Sequence, residues 1–115
     1  MKLRVGFIGL GEMGKWMALN VGKAGFPLTV YDIRPDAVKV LVESGAKAAE
    51  SPADVAEKTD CVMLSLPDTQ AVEDVIWGEN GLMNRLSSGS ILVDLSTINY
   101  TADRFRVQPQ FNSHR

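Results

Sequence analysis

The chain predicts a doubly wound α/β domain, a parallel sheet covered by helices on both faces. Three observations lead there. Short apolar runs of strand length alternate with stretches of helical period. Glycine or proline stands at most of the junctions. Five such alternations fit within 115 residues, which is room for one domain. A chain of this size buries about 65% of its extended surface, enough for a self-supporting core.

The first strand is the compact apolar run 3–8, bounded by glycine. From Glu12 to Ala24 the residues Met13, Met17, Val21 and Ala24 recur at helical spacing, predicting one apolar face. Gly25 stands where a helix ends and Pro27 forbids its continuation. Residues 28–32 form a second strand ending in Asp32. Pro35 suits the first turn of a helix carrying Ala37, Val38, Leu41 and Val42, closed by Gly45. Residues 46–49 are a weak third strand, inferred from the alternation. Ser51-Pro52-Ala53-Asp54 has the order of an N-cap, a first-turn proline and a first-turn acid, opening a helix that ends near Lys58. Residues 60–66 are the fourth strand. Pro67-Asp68-Thr69 then turns into a helix with Val72, Val75 and Ile76 on one face. Gly78 and Gly81 bracket a loop, residues 82–86 make a helical turn or two, and 90–95 are the fifth strand. The domain is expected over 1–102. In 103–115 only Phe105, Val107 and Phe111 are apolar, without period, and that tail is expected to be poorly ordered.

Composition narrows the function. Twelve basic and fourteen acidic residues give a net charge of −2, which offers no electrostatic reason for nucleic acid or anionic lipid as a partner. One cysteine, Cys61, excludes an internal disulfide and a cysteine-clustered zinc site, and one histidine, His114, excludes a histidine cluster. Met1-Lys2-Leu3-Arg4 and the apolar residues behind it have the outline of a signal peptide. Glycines interrupt that stretch and it stops at Glu12, so a buried first strand is the reading retained. No run approaches the ~18 apolar residues of a membrane helix. A small, soluble, cytoplasmic domain is the expectation.

Gly9-Leu10-Gly11-Glu12-Met13-Gly14 follows a strand and opens a helix inside a βαβ unit, the context in which G-x-G-x-x-G binds a dinucleotide. Gly9 permits the tight turn, Gly11 lets the backbone approach a pyrophosphate, and Gly14 lets the helix pack close to the strand. The unpaired N–H groups and positive dipole of the helix N-terminus favour phosphate. Asp32 lies 23 residues after Gly9 and 18 after Gly14, near the ~20-residue offset of a ribose-binding acid. Its carboxylate suits both adenosine ribose hydroxyls and repels a 2′-phosphate, so NAD is the cofactor expected, with NADP admissible. Arg34 is either a guanidinium able to swing toward such a phosphate or a solvated loop charge. Glu12 is either a charge set against the pyrophosphate or a stabiliser of its own helix. Leu66-Pro67 and Ser96-Thr97 follow strands four and five at the carboxyl rim, where ligands of open α/β sheets bind. The hydroxyls of Ser96 and Thr97 suit a carboxylate or a nicotinamide ribose, or equally a helix cap. Cys61 reads as a small core hydrophobe, and Trp16 and Trp77 as packing residues.

Val5-Gly6-Phe7-Ile8-Gly9-Leu10-Gly11-Glu12-Met13-Gly14, with Met17-Ala18-Leu19-Asn20, resembles the opening of the β-hydroxyacid dehydrogenase family. Lys23-Ala24-Gly25-Phe26, Val30-Tyr31-Asp32, Leu66-Pro67, Gly78 with Gly81-Leu82, and Val93-Asp94-Leu95-Ser96-Thr97-Ile98 extend the likeness over residues 3 to about 99, with the flavour of its 3-hydroxyisobutyrate dehydrogenases. The resemblance implies a Rossmann-type dinucleotide-binding domain and hydride transfer between a β-hydroxyacid and a nicotinamide. The cofactor would be held by Gly9, Leu10, Gly11, Glu12, Met13 and Gly14, by Asp32, Ile33 and Arg34, and by Leu66, Pro67 and Thr97. Ser96 would touch the substrate carboxylate. NADP-preferring relatives read Asn-Arg where this chain has Asp32-Ile33. Tyr100 replaces a common proline, and the likeness is gone by about Arg106.

The family's catalytic lysine and helical C-terminal domain lie beyond that point, and Lys2, Lys15, Lys23, Lys39, Lys47 and Lys58 match no such motif. No catalytic residue and no metal ligand is therefore assigned. The expectation is the cofactor half of a dehydrogenase, inactive alone, taking a hydroxyacid only when completed by a second domain and compatible with a homo-oligomer. A free-standing NAD(H)-sensing module and a poorly folding remnant are the alternatives.

Overall fold

The central strand of the sheet, Val5–Ile8 (β1), carries Val5, Phe7 and Ile8 almost fully buried, so both of its faces are covered. The computed structural model describes residues 3–96. After β1 come Glu12–Lys23 (α1), Leu28–Tyr31 (β2), Pro35–Glu43 (α2), Lys47–Ala48 (β3), Pro52–Lys58 (α3), Cys61–Leu64 (β4), Thr69–Trp77 (α4), a 3₁₀ turn at Leu82–Asn84, and Ile91–Asp94 (β5). The five strands are parallel in the order β3-β2-β1-β4-β5. The predicted class and every predicted element are present. The start at Met1-Lys2, Thr97, the domain's close at 102 and the 103–115 tail lie outside the described residues.

Strand alternation divides the core. Val5, Phe7 and Val30 point to one face and pack with Ala18 of α1 and Leu41 of α2. Ile8, Val62 and Leu64 point to the other and pack with Val55 of α3 and with Val72 and Ile76 of α4. At Gly6 a side chain would run into Val55 and come within 3.2 Å of Thr59, so α3 lies close against β1.

Strands are shorter than the sequence predicts because chain ends are diverted into other bonds. Leu3 is exposed, and Arg4 leaves β1 to clamp Asp60 through its amide (2.9 Å), Nε (3.1 Å) and Nη2 (2.9 Å). The Arg4 guanidinium and amide hold the Asp60 carboxyl down at about 2. A folded-state pKa below the unfolded value of about 3.9 stabilises the fold above that value, and the effect is lost as pH falls through about 2. Asp60→Asn should therefore lower the urea midpoint by a constant amount from pH 5 to 8, with the gap to the parent closing between about pH 4 and 2. A gap at pH 2 as wide as that at pH 5 would refute this role.

Two sequence expectations are corrected. The buried stripe of α1 is Gly14 and Ala18, flanked by half-buried Met17 and Val21, while Met13 is 62% exposed and Ala24 is exposed. Small residues let the helix sit close, and a search for large apolar side chains is drawn to the wrong rotation. Trp16 is not a packing residue: it is 62% exposed, with Lys15 Nζ 5.5 Å from its ring centroid. Cys61 is buried as expected, its thiol pKa pushed up by burial and by the charge of Asp60.

Candidate functional site

Strand order reverses on either side of β1, and there the chain leaves β1 and β4 in opposite directions, opening a crevice at their carboxyl ends. The crevice is a cleft of about 720 Å³ lined by Gly9, Gly11, Glu12, Met13 and Gly14 from the β1–α1 turn and by Tyr31, Asp32, Ile33 and Arg34 from the end of β2. Ile8 and Ser65, Leu66, Pro67, Ala71, Asp74 and Val75 complete it.

The glycines of the turn have separate geometries. Gly9 has φ +97°, which L side chains rarely adopt, and a Cβ there would strike the Ser65 carbonyl. At Gly14 a Cβ would strike the Gly9 carbonyl and lie 3.2 Å from Ser65 Cβ. At Gly11 the nearest atom to such a Cβ is Arg34 Nη2, 4.0 Å away, so that position faces the open cleft. Helices α3 and α4 begin with side-chain caps, Ser51 accepting from the Asp54 amide (3.1 Å) and Asp68 from the Ala71 amide (2.8 Å). Helix α1 begins at Gly11 with no side-chain cap, leaving its first-turn N–H groups for a ligand. An uncapped helix end beneath a side-chain-free opening fits a diphosphate.

Asp32 stands just past β2 with its side chain 8% exposed. Its Oδ2 accepts from the Leu10 amide at 2.7 Å, and its Oδ1 accepts from the Arg34 amide at 2.8 Å and Arg34 Nε at 3.2 Å. Burial alone would raise the Asp32 pKa. Hydrogen bonds from the Arg34 side chain and from the Leu10 and Arg34 amides outweigh burial and hold it below the ordinary carboxylate value. The carboxylate thus braces the glycine turn, and Arg34 lies folded over it with 56% of its side chain exposed.

The remaining predicted residues divide. Leu66 and Pro67 line the cleft; Ile33 does too, with 84% exposure. Leu10 does not: its side chain is core and its amide is occupied by Asp32. Ser96 Oγ accepts from the Leu66 amide at 2.8 Å, and its own amide donates to Asp94 Oδ1 at 2.9 Å. It thereby ties the end of β5 to the loop after β4. Sequence reasoning missed Ile8, Tyr31, Ser65, Ala71, Asp74 and Val75. The last three recur at steps of three and one, a helical face that Val75's assignment to the core stripe concealed.

The family model describing the NAD binding domain of 6-phosphogluconate dehydrogenase matches residues 4–111, further than the residue-by-residue likeness reaches. The chain is similar to the mitochondrial 3-hydroxyisobutyrate dehydrogenase of Rattus norvegicus, 48% identical over 97 residues that cover 84% of this chain and 29% of the relative. It is also similar to the 3-sulfolactaldehyde reductase of Escherichia coli, 40% identical over 94 residues, 82% of this chain and 32% of the relative. The solved 3-hydroxyisobutyrate dehydrogenase of Mycobacterium tuberculosis, described with L-serine, superimposes with a TM-score of 0.85 at 26% identity, over 99% of this chain and 38% of that one. The chain thus spans about a third of the length of the proteins it matches.

Proposed function

The chain belongs to the family of NAD-binding domains described for 6-phosphogluconate dehydrogenase, and on that premise we propose that it is the cofactor half of an oxidoreductase of 3-hydroxyisobutyrate dehydrogenase type. One observation carries the reading: the uncapped, side-chain-free opening at Gly11 and the braced carboxylate of Asp32 share one cleft. The α1 amides take the diphosphate, with Gly9 and Gly14 shaping the turn. Asp32 takes the adenosine ribose, whose hydroxyls compete with the Arg34 guanidinium for the same oxygens, so Arg34 swings outward on binding. Leu66 and Pro67, together with Met13 and Ile33, supply apolar contact, and Glu12 stays toward water. Thr97 is assigned to the cofactor, and Ser96, at the end of β5, is assigned to the substrate carboxylate, to which its hydroxyl can donate.

When bound, a nicotinamide dinucleotide supplies or accepts the hydride. The reaction also needs an acid or base beside the substrate hydroxyl, and no lysine or histidine lines this cleft among the described residues. The chain's own contribution is therefore binding and orientation, and conversion of a small β-hydroxyacid requires a second domain. The only cysteine is a buried thiol, consistent with placement in the cytoplasm. Among the described residues no helix is long and apolar enough to cross a membrane.

Held by the α1 amides and Asp32 alone, NAD should bind with a Kd of about 0.1–1 mM. At the weak end, 10 mM NAD would stabilise the fold by ~1.4 kcal/mol and raise Tm by about 5 °C. NADP should bind at least about tenfold more weakly, because Asp32 repels its 2′-phosphate. Amide chemical-shift titrations with each dinucleotide provide the test. Perturbations that miss Gly11, Asp32 and their neighbours, or tighter binding of NADP, would overturn the reading.

A further inference from the structure

Asp74 has no part in the reading above, yet it lines the same cleft as Asp32 and Arg34. It sits on α4 with Ala71 and Val75, and together they present a small apolar surface with one carboxylate on it. Gln70, one turn earlier, donates from Nε2 to Asp74 Oδ1 at 2.9 Å. A carboxylate accepts up to about four hydrogen bonds, so Gln70 steadies the group without exhausting it.

With the ribose at Asp32, the base attached to that ribose must lie against the remaining walls of the same cleft. A flat heterocycle finds apolar contact on Ala71 and Val75, and its polar edge then meets Asp74. A carboxylate can only accept, so it favours an amino group on that edge and disfavours a carbonyl. The geometry points to Asp74 as a base-reading residue that accepts from the exocyclic amino group of adenine, with Gln70 as its positioning residue. This rests on the dinucleotide reading and deepens it: the site selects a 6-aminopurine dinucleotide over a 6-oxopurine one.

The test compares NAD with nicotinamide hypoxanthine dinucleotide, which carries an oxo group at C6 and a proton on N1 where adenine carries the amino group and a bare N1. Titrations of the full chain are followed by amide chemical shifts, which read millimolar affinities. The parent should bind NAD about tenfold more tightly, the scale expected for one charge-assisted hydrogen bond at an open site. Asp74→Ala, a change favourable to helix at an exposed position, should bring the two within about twofold. Gln70→Ala should give an intermediate ratio. Equal binding of the two dinucleotides by the parent, or an undiminished gap in Asp74→Ala, would overturn the inference while leaving the dinucleotide site intact. Failure of both to bind would overturn the dinucleotide reading and the inference with it.

Discussion

Gly11→Val should leave the fold standing and remove NAD binding, whereas Gly14→Val, three residues on, should cost the fold itself. At Gly11 the backbone is extended (φ −66°, ψ −170°), open to any residue, and an added Cβ meets nothing nearer than Arg34 Nη2 at 4.0 Å. The change in stability should stay within about 0.5 kcal/mol. The branched side chain would instead fill the opening through which phosphate oxygens reach the α1 amides, weakening NAD by about a hundredfold or more, beyond detection for a millimolar site. At Gly14 the obstacles are the Gly9 carbonyl and Ser65 Cβ, and main chain cannot turn aside as a side-chain tip can. Helix α1 would have to lift off β1 and give up the packing of Ala18. We expect a loss of about 3 kcal/mol or more, a large share of the ~5–15 kcal/mol that holds a domain folded. The gain in helix propensity on replacing glycine returns about 1 kcal/mol at most. Circular-dichroism melting checks the second variant and chemical-shift titration the first. NAD binding by Gly11→Val at parental strength would sink the assignment of the opening, and an unchanged Tm in Gly14→Val would sink the close-packing argument.

What was legible in the sequence follows from how each signal arises. Strands buried on both faces must be apolar throughout, so β1 and β4 are visible as runs; helices opened by Ser51 or Asp68 show their caps as letters. The glycine turn and Asp32 are legible because a phosphate-binding main chain needs positions without side chains at fixed spacing. The rotation of α1 was not legible, because closeness of approach selects the small residues Gly14 and Ala18, and hydrophobicity ranks them low. The second role of Asp32 was hidden for a different reason. Its bond to the Leu10 amide joins groups 22 residues apart, and nothing local in either segment announces it. Asp74 was hidden because α4 turns one face to the core and an adjacent one to the cleft, and a single stripe of valines and isoleucine accounts for only the first.

Asp32 should prove to be two residues in one, and substitutions can separate them. Asp32→Ala leaves the Leu10 amide without its acceptor, which should cost about 1–3 kcal/mol and lower Tm by roughly 5–10 °C. Asp32→Asn keeps an oxygen for that amide but turns an NH₂ toward the Arg34 donors, so its fold should suffer less while the charge is lost equally. Both variants should bind NAD at least about tenfold more weakly, since a neutral or absent side chain accepts poorly from two hydroxyls. NADP should move the other way: the repulsion is gone and Arg34, released from its carboxylate, is free to meet the 2′-phosphate. The NAD-to-NADP preference should therefore shrink or reverse in Asp32→Asn, as read from paired titrations. An unaltered preference would mean that the carboxylate braces the turn and does not read the sugar. The pH profile separates the roles further. Because the Asp32 pKa lies below its unfolded value of about 3.9, its stabilising effect is complete above that value and fades as pH falls through the folded one. Between pH 5 and 8 the parent's stability and NAD affinity should thus show no slope from this group. Its acid limb should flatten in Asp32→Asn, since that side chain has no proton left to gain.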